Sequence, residues 1–555
     1  MSDQATSPLG AQISHMLKSR GVDTIFGIPG VHNIEMYRGI EDAGITHILA
    51  RHEQGAGFMA DGFARATGRP GVAYVITGPG VCNIMTPMGQ AYSDSVPMLV
   101  ISSCLDETAR RCGQLHQMLD QESAAATVCD WSHEARTPQS AFDLIDRAFC
   151  EFNSQRKRPK HIQVPIALGG IACAPAPNAR DSLTGAAGVG GLASADPTAI
   201  TALSARLAAA QKPLFIFGGG VVAAGAEQRA RDMLQHFGAA GFTTYAAGGV
   251  LAPDDPMSFG CYLGRPESAS IIASSDLVIA IGTELAEVDL WRNTLGHTAT
   301  LVRVDIDPAV LADEHRADII FRADAKAFLD ALLAMSQEAS AKGNAAPSAK
   351  PSPKRSTTRW DAAEIAAFRA RSRAEVDAER PGITPICDAL RDCLPVDAMI
   401  YSDMTQFAYV AREVWDMPRA GHWHHPTGFG TLGYALPAAI GGAVARSGLP
   451  TLAIAGDYGL QYTIQELGTA VELRLPLPIL IWDNAKLGEI EDAMTGAQIA
   501  PNAVVARNPD FLKLAEAYGA YAAEPTTLAD LQKTTLAALS ADRPTLIRMT
   551  SALSV

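Results

Sequence analysis

The residues best suited to chemistry sit at two strand ends late in the chain. The stretch around Ala453–Ile490 begins with a short apolar strand, Thr451–Ala455, that runs into Gly456-Asp457. A helical segment follows, in which Ile464, Leu467, Val471 and Leu475 are spaced to share one apolar face. A second apolar run, Pro478–Trp482, then delivers Asp483-Asn484. In open α/β sheets, ligands collect at the carboxyl ends of strands. One carboxylate oxygen, one amide oxygen and loop carbonyls suit Mg²⁺, which takes few protein ligands beside phosphate oxygens. The alternative is a pair of ordinary strand-to-loop turns.

Two further groups of residues carry charge at telling places. Arg51-His52-Glu53-Gln54-Gly55 opens a helix that runs through Arg65; an acidic residue at a helix start also has a purely structural rationale, since it complements the helix dipole. Later, Glu489, Glu491 and Asp492 follow the second strand end. Residues 489 and 492 can share one helix face, and a carboxylate pair matches the fork of donors on a guanidinium. A solvated acidic face is the competing explanation.

The elements that must position these residues alternate strand and helix. In the first segment Thr24–Ile28, His47–Ala50, Val72–Thr77, Met98–Ser102 and His161–Val164 read as strands. In the second, Pro213–Phe217, Asp276–Ile281 and Leu301–Asp305 do so, and in the third Met399–Tyr401 precedes the two strands already named. This rhythm predicts an α/β protein of three doubly wound parallel-sheet domains. The expected boundaries are 1–171, 196–335 and 360–555, joined by linkers at 172–195, rich in Ala, Gly, Pro and Ser, and at 336–359, which has almost no large apolar residue. Gly218-Gly219-Gly220 lacks a full dinucleotide fingerprint, so close backbone packing is the expectation there. The similar rhythm of the three segments hints at ancient duplication.

With 555 residues, 48% hydrophobic and 19% charged, the chain has ordinary globular composition and is too long for one core. A net charge of −14 argues against nucleic acid or an anionic membrane as partner. Nine scattered cysteines without a CxxC pair fit a reduced, cytoplasmic protein. The start MSDQATSPLG shows no secretory signal, and no apolar run is long enough to span a bilayer.

Several stretches together resemble one family. Arg51–Ala56 with Met59–Arg65, Thr77-Gly78-Pro79-Gly80, Ala91–Pro97 and Gly430-Thr431-Leu432-Gly433 are similar to signatures of thiamine diphosphate (ThDP) enzymes of the acetolactate synthase and 2-oxo-acid decarboxylase superfamily. The Gly456–Asn484 stretch resembles that family's cofactor motif, which starts Gly-Asp-Gly and ends Asn-Asn. The resemblance implies a pyrimidine domain, a central domain and a diphosphate domain in that order. It implies Glu53 as the catalytic acid that hydrogen-bonds N1′ of the aminopyrimidine, so that C2 of the thiazolium loses its proton and the ring can act as an electron sink. Asp457, Asn484 and the main-chain oxygen of Lys486 fall at the Mg²⁺ ligands. Gly30, Thr405, Gln406, Gly430, Leu432, Gly456, Tyr458 and Gly459 join Asp457 and Asn484 around the cofactor, with Leu432 beneath it. The motif's third residue is Tyr458 rather than glycine, with Gly459 one place later, and Asp483 stands for the first Asn. Phe259–Gly264 and Gly282–Glu287 do not preserve the segments of FAD-using acetolactate synthases, which speaks against FAD.

For the substrate, the loop Gly30–Gly39, the run Leu487–Met494 and Gln498–Asn502 resemble 5-guanidino-2-oxopentanoate (2-ketoarginine) decarboxylases. The implied reaction is non-oxidative decarboxylation of that 2-oxo acid to 4-guanidinobutanal and CO₂, with His32, Gln121, Glu489 and Asp492 as candidate substrate contacts. The alternatives are an acetolactate synthase-like carboligase acting on pyruvate and, with Tyr458 in its favour, a non-catalytic protein of the same fold. In the family the Glu53 and Asp457 sites meet across a subunit interface, which implies a homodimer as the minimum unit and a homotetramer as the expected assembly.

Overall fold

In a computed structural model, which describes residues 6–106, 113–177, 195–343, 360–505 and 507–553, strands and helices alternate along the chain and build three six-stranded sheets. The first sheet has the spatial order Thr46–Leu49, Thr24–Gly27, Gly71–Val75, Met98–Cys104, Lys160–Pro165, Trp131–Glu134, with every pairing parallel. Gly71–Val75 and Met98–Cys104, at the centre of this sheet, are buried along their whole length, as helix-covered parallel strands must be. The third sheet runs Trp423–His424, Met399–Ser402, Thr451–Gly456, Pro478–Trp482, Thr545–Met549, Tyr521–Ala523. Counted in chain order, both sheets follow the sequence 2-1-3-4-6-5.

The central sheet differs. Its strands lie as Ser258–Gly260, Ala240–Thr243, Pro213–Phe217, Leu277–Ile281, Thr300–Asp305, Ile319–Arg322, which in chain order is 3-2-1-4-5-6. The pattern of duplication therefore holds for the first and third sheets and not for the second. Gly218–Gly220 follows its first strand and packs against the turn after its fourth: Gly220 N–H donates to the Gly282 carbonyl at 2.9 Å, and a Cβ on Gly220 would lie 2.7 Å from the Gly282 Cα. Close backbone packing is what the triplet does here.

Two compact units result. One comprises 1–189, 393–408 and 424–555 and holds the first and third sheets; the other comprises 190–392 and 409–423 around the central sheet. The Ala362–Glu379 helix, grouped with the third segment by its sequence position, packs on the central sheet, where Phe368 meets Phe242 and Phe259 edge-on. The expected linkers lie largely outside the described residues. Of the parts described, Ala172–Cys173 pairs antiparallel with Ser7–Pro8, and the Ala325–Gly343 helix extends into the second linker.

Within the first unit the two sheets are joined through a pair of helices, Glu53–Thr67 and Ala435–Ala445. They approach backbone to backbone: a Cβ on Gly441 would lie 1.9 Å from the Met59 carbonyl oxygen, and one on Gly62 2.0 Å from that of Ala438. Beside this seam Asp61 accepts from Arg65 and from Tyr434, and Arg65 reaches Asp94, whose other oxygen accepts from Gly428 N–H. Buried charge of this kind survives only when paired and hydrogen-bonded. No helix among the described residues is long and apolar enough to cross a membrane.

Candidate active site

The order 2-1-3-4-6-5 reverses direction between the first and third strands, which is where an open parallel sheet presents its ligand crevice. In the third sheet those strands are Met399–Ser402 and Thr451–Gly456, so Asp403-Met404-Thr405-Gln406 and Gly456-Asp457 emerge side by side. Pro478–Trp482, the next strand over, brings Asp483-Asn484 to the same edge.

The side chains there interlock. Asp457 is buried, and burial raises its carboxyl above the ordinary range, with the charge of Asp483 adding to the effect. Asn508 Nδ2 donates to Asp457 Oδ2 at 2.6 Å and to Asp483 Oδ1 at 2.9 Å, bridging the two acids. The other oxygen of Asp483 accepts from Arg548 Nε at 2.7 Å, so the first position of the terminal pair is an anchor. Asn484 Nδ2 donates to Gln406 Oε1 at 3.1 Å, and its Oδ1 accepts from Lys486 N–H at 3.2 Å across Ala485, which adopts φ of +56°. Gln406 also abuts Gly488, and Thr405 lies against Gly456.

The glycine-rich turn closes the other side. Gly430 and Gly433 take left-handed conformations (φ +66° and +84°), with half-buried Leu432 between them. Asp403 ties this turn to the strand end: its Oδ1 accepts from Met404 N–H at 2.8 Å and its Oδ2 from Gly433 N–H at 2.9 Å. Burial pushes its carboxyl up to about 7. A Cβ on Gly459 would lie 2.6 Å from Asp403 Oδ2. The close approach that requires glycine therefore falls at 459, while Tyr458 is partly exposed on the Asp457–Thr463 helix.

The first sheet presents its own cluster at the corresponding edge. His52 caps the Glu53–Thr67 helix, its Nδ1 accepting from Gln54 N–H at 3.1 Å. Glu53 Oε2 accepts from Asn83 Nδ2 at 2.8 Å, and the Gly80 turn passes beside Oε1. Gly30 N–H donates to Asn33 Oδ1 at 2.7 Å, and Gly30 and Gly80 flank the same Ile76 side chain. His32 meets His116 at 3.2 Å between their Nδ1 atoms; burial and the neighbouring imidazole lower its pKa. Gln121 is buried in internal hydrogen bonds: its oxygen accepts from Thr77 Oγ1 and Gly78 N–H, and its nitrogen donates to the Ser103 carbonyl and to Gln163. Gln121 thus acts on the Thr77–Gly78 turn. Glu489 and Asp492 lie on the Gly488–Gly496 helix, Glu489 half-buried and Asp492 exposed, while the intervening Glu491 pairs with Lys486.

The structure thus gathers the candidate residues into two clusters, one per sheet, and among the described residues no hydrogen bond joins Glu53 to the Asp457–Asn484 group. Asn508, Asp403, Arg548 and Asn83 were not singled out from sequence. Asp403 could have been, because a carboxylate directly after an apolar strand is the signal that marks Asp457; Asn508 lies in a loop with no such signal.

Profiles of known families match all three segments. Residues 8–124 match the family described as thiamine pyrophosphate enzyme, N-terminal TPP binding domain; 200–332 match its central domain; 403–549 match its C-terminal TPP binding domain. A protein of Pseudomonas aeruginosa named probable 2-ketoarginine decarboxylase AruI is 42% identical over 99% of this chain and 95% of its own length. The chain belongs to the thiamine pyrophosphate enzymes. More distant members include an acetolactate synthase large subunit of Parasynechococcus marenigrum, 29% identical over 97% of this chain and 86% of that protein, and the isozyme 2 large subunit of Escherichia coli, 28% identical over 97% and 95%. The three parallel-sheet domains are those of a ThDP enzyme, and thiamine diphosphate is its cofactor.

The residues present fit that group and a divalent ion. Among the described residues no three His, Cys, Asp or Glu side chains are arranged to hold a metal. A buried carboxylate at one strand end, with an amide oxygen in a tight loop at the end of the neighbouring strand, is instead a sparse oxygen set of the kind that suits Mg²⁺.

Proposed function

We propose that this ThDP enzyme is a Mg²⁺-dependent 2-oxo-acid decarboxylase that converts 5-guanidino-2-oxopentanoate to 4-guanidinobutanal and CO₂. The observation that carries the reading is the acid-bearing helix Gly488–Gly496, which follows the Asn484 loop directly and presents Glu489 and Asp492. The 42% identity to a protein named as a probable 2-ketoarginine decarboxylase, against 28–29% to acetolactate synthases, supports the same substrate.

In this reading Asp457, Asn484 and the Lys486 carbonyl hold Mg²⁺, and Thr405, Gln406, Gly430, Gly456, Tyr458 and Gly459 surround the diphosphate. Leu432 supports the cofactor from below, and Gly30 lets the first sheet approach it. Bound ThDP supplies the electron sink for the carbanion left by CO₂. Glu53, fixed by Asn83, holds the proton that polarises the aminopyrimidine. His32 and Gln121, the latter through the Thr77–Gly78 turn, shape the substrate side, and Glu489 with Asp492 binds the guanidinium. The segments 1–171, 196–335 and 360–555 serve as pyrimidine, central and diphosphate domains of a cytoplasmic protein, with 360–392 and 409–423 grouped with the central sheet.

A homodimer is the smallest active unit and a homotetramer the expected assembly. Exposed apolar residues beside the Glu53 cluster support this: Val31, Ile34, Leu115 and Leu119, the last 99% exposed.

Single variants Glu489→Gln and Asp492→Asn test the specificity. Losing one charged hydrogen-bond partner should weaken kcat/KM for the guanidino acid by about 10- to 100-fold while leaving an uncharged 2-oxo acid of similar length unaffected. Equal losses on both substrates would remove these residues from the guanidinium site. Carboligation remains the second reading, because of the acetolactate synthases among the relatives; acetoin recovered after acid treatment of a pyruvate reaction would favour it.

A further inference from the structure

Glu466 opens the helix Glu466–Glu472 in the third-sheet domain, and its side chain is fully buried. A buried carboxyl persists only where hydrogen bonds replace water, and here its backbone partners come from the other sheet's domain. Oε1 accepts from Arg51 N–H at 3.0 Å and from His52 N–H at 2.9 Å; Oε2 accepts from Thr469 Oγ1 at 2.8 Å. Arg51 and His52 are the two residues that lead into the Glu53 helix, and His52 is its cap. Their N–H groups fall outside the helix ladder and need an outside acceptor. The fit is tight, since a Cβ on Gly55 in the first helical turn would lie 2.2 Å from Oε1. The Glu466 helix grips the same turn twice more: the Arg51 guanidinium pairs with Glu472, and Thr469 Oγ1 reaches the Leu49 carbonyl at 3.4 Å.

We propose that Glu466 is a positioning residue that fixes the backbone directly before Glu53 and so sets the aim of the Glu53 carboxyl at the cofactor. Asn83 holds that carboxyl from the side-chain end, and Glu466 holds it from the backbone end. The proposal rests on the reading of Glu53 as the acid that serves ThDP, and not on the identity of the 2-oxo acid.

Two measurements test it. In the cofactor-free protein, amide exchange across residues 49–54 should accelerate by about tenfold or more in Glu466→Ala, with exchange elsewhere in the first-sheet domain unchanged. In the ThDP·Mg²⁺-loaded protein, C2–H/D exchange of the bound cofactor, which needs no substrate, should slow about tenfold or more in Glu466→Ala while cofactor affinity moves less than about threefold. Glu466→Gln, whose amide oxygen can accept the same two N–H groups, should recover part of the rate. A folded Glu466→Ala protein with wild-type C2 exchange would overturn the proposal. If that variant fails to fold, Thr469→Val, which removes the hydroxyl that steadies Oε2 and reaches the Leu49 carbonyl, decides: a slowing of about threefold supports positioning by the Glu466 helix, and no change refutes it. Slowed C2 exchange in a protein that never decarboxylates 2-ketoarginine would sink the substrate assignment and leave this one standing. Wild-type protein that fails to accelerate C2 exchange over free ThDP would sink both this proposal and the reading of Glu53.

Discussion

In the proposed function Glu53 does one thing: it serves the aminopyrimidine ring as an acid. Its hydrogen bond from Asn83 fixes which oxygen is turned away from that task. Replacing it with Gln preserves shape and removes the exchangeable acid, so kcat should fall about 100-fold or more while ThDP affinity, followed by tryptophan quenching, changes little. Equal turnover in Glu53→Gln would contradict the assignment. Glu466 makes a separate prediction through pH. Burial lifts its carboxyl from the ordinary 4.5 to about 7. Between those values the folded chain keeps a proton there that the unfolded chain has released, so this site's contribution to stability falls as pH rises through the window. Glu466→Gln abolishes that titration. The melting temperature of the variant minus that of wild type should therefore rise between about pH 5 and pH 8. A flat difference would show that the site does not titrate as its burial demands.

At the scale of elements, the site is made by strand ends and by the few contacts that lock them together. Asp403 is the joint between the Met399–Ser402 strand and the Gly430–Gly433 turn, and Gly459 leaves it room. Gly459→Ala would drive a methyl group into that carboxylate and free two loop N–H groups, at a cost of about 1–3 kcal/mol. Calorimetric titration should show ThDP·Mg²⁺ binding weakened by about tenfold or more together with a lowered melting temperature. Unchanged binding would mean that the turn is held by other means.

Much of this was legible in the sequence. Pro213–Phe217 and Pro478–Trp482 form strands at the residues expected, because buried parallel strands read as unbroken apolar runs. The face made by Ile464, Leu467, Val471 and Leu475 does pack on the core, although the helix is interrupted between Thr463 and Glu466. Thr545–Met549, an inner strand, was hidden by Arg548, whose charge breaks the apolar run and is explained only by its ion pair with Asp483. Trp131–Glu134 and Tyr521–Ala523 are edge strands, half covered and short, and carry little periodic signal. Contacts between segments far apart in sequence, such as Glu466 with Arg51 and Asn508 with Asp457, have no local signature at all.

For the whole molecule, the architecture is a matched pair of sheets with order 2-1-3-4-6-5 carrying the two halves of the cofactor site, and a central sheet of order 3-2-1-4-5-6 in a unit of its own. The fold is shared with acetolactate synthases, so it does not choose between releasing an aldehyde and joining two 2-oxo acids. On the proposed reading the choice lies in the residues that meet the substrate, above all the acidic helix after Asn484. The most direct test is a panel of 2-oxo acids given to the purified protein with ThDP and Mg²⁺, with CO₂ and aldehyde measured for each. 5-Guanidino-2-oxopentanoate should be decarboxylated with release of 4-guanidinobutanal, and pyruvate should give little product. Brisk conversion of pyruvate to acetolactate, with no CO₂ from the guanidino acid, would contradict the proposed function.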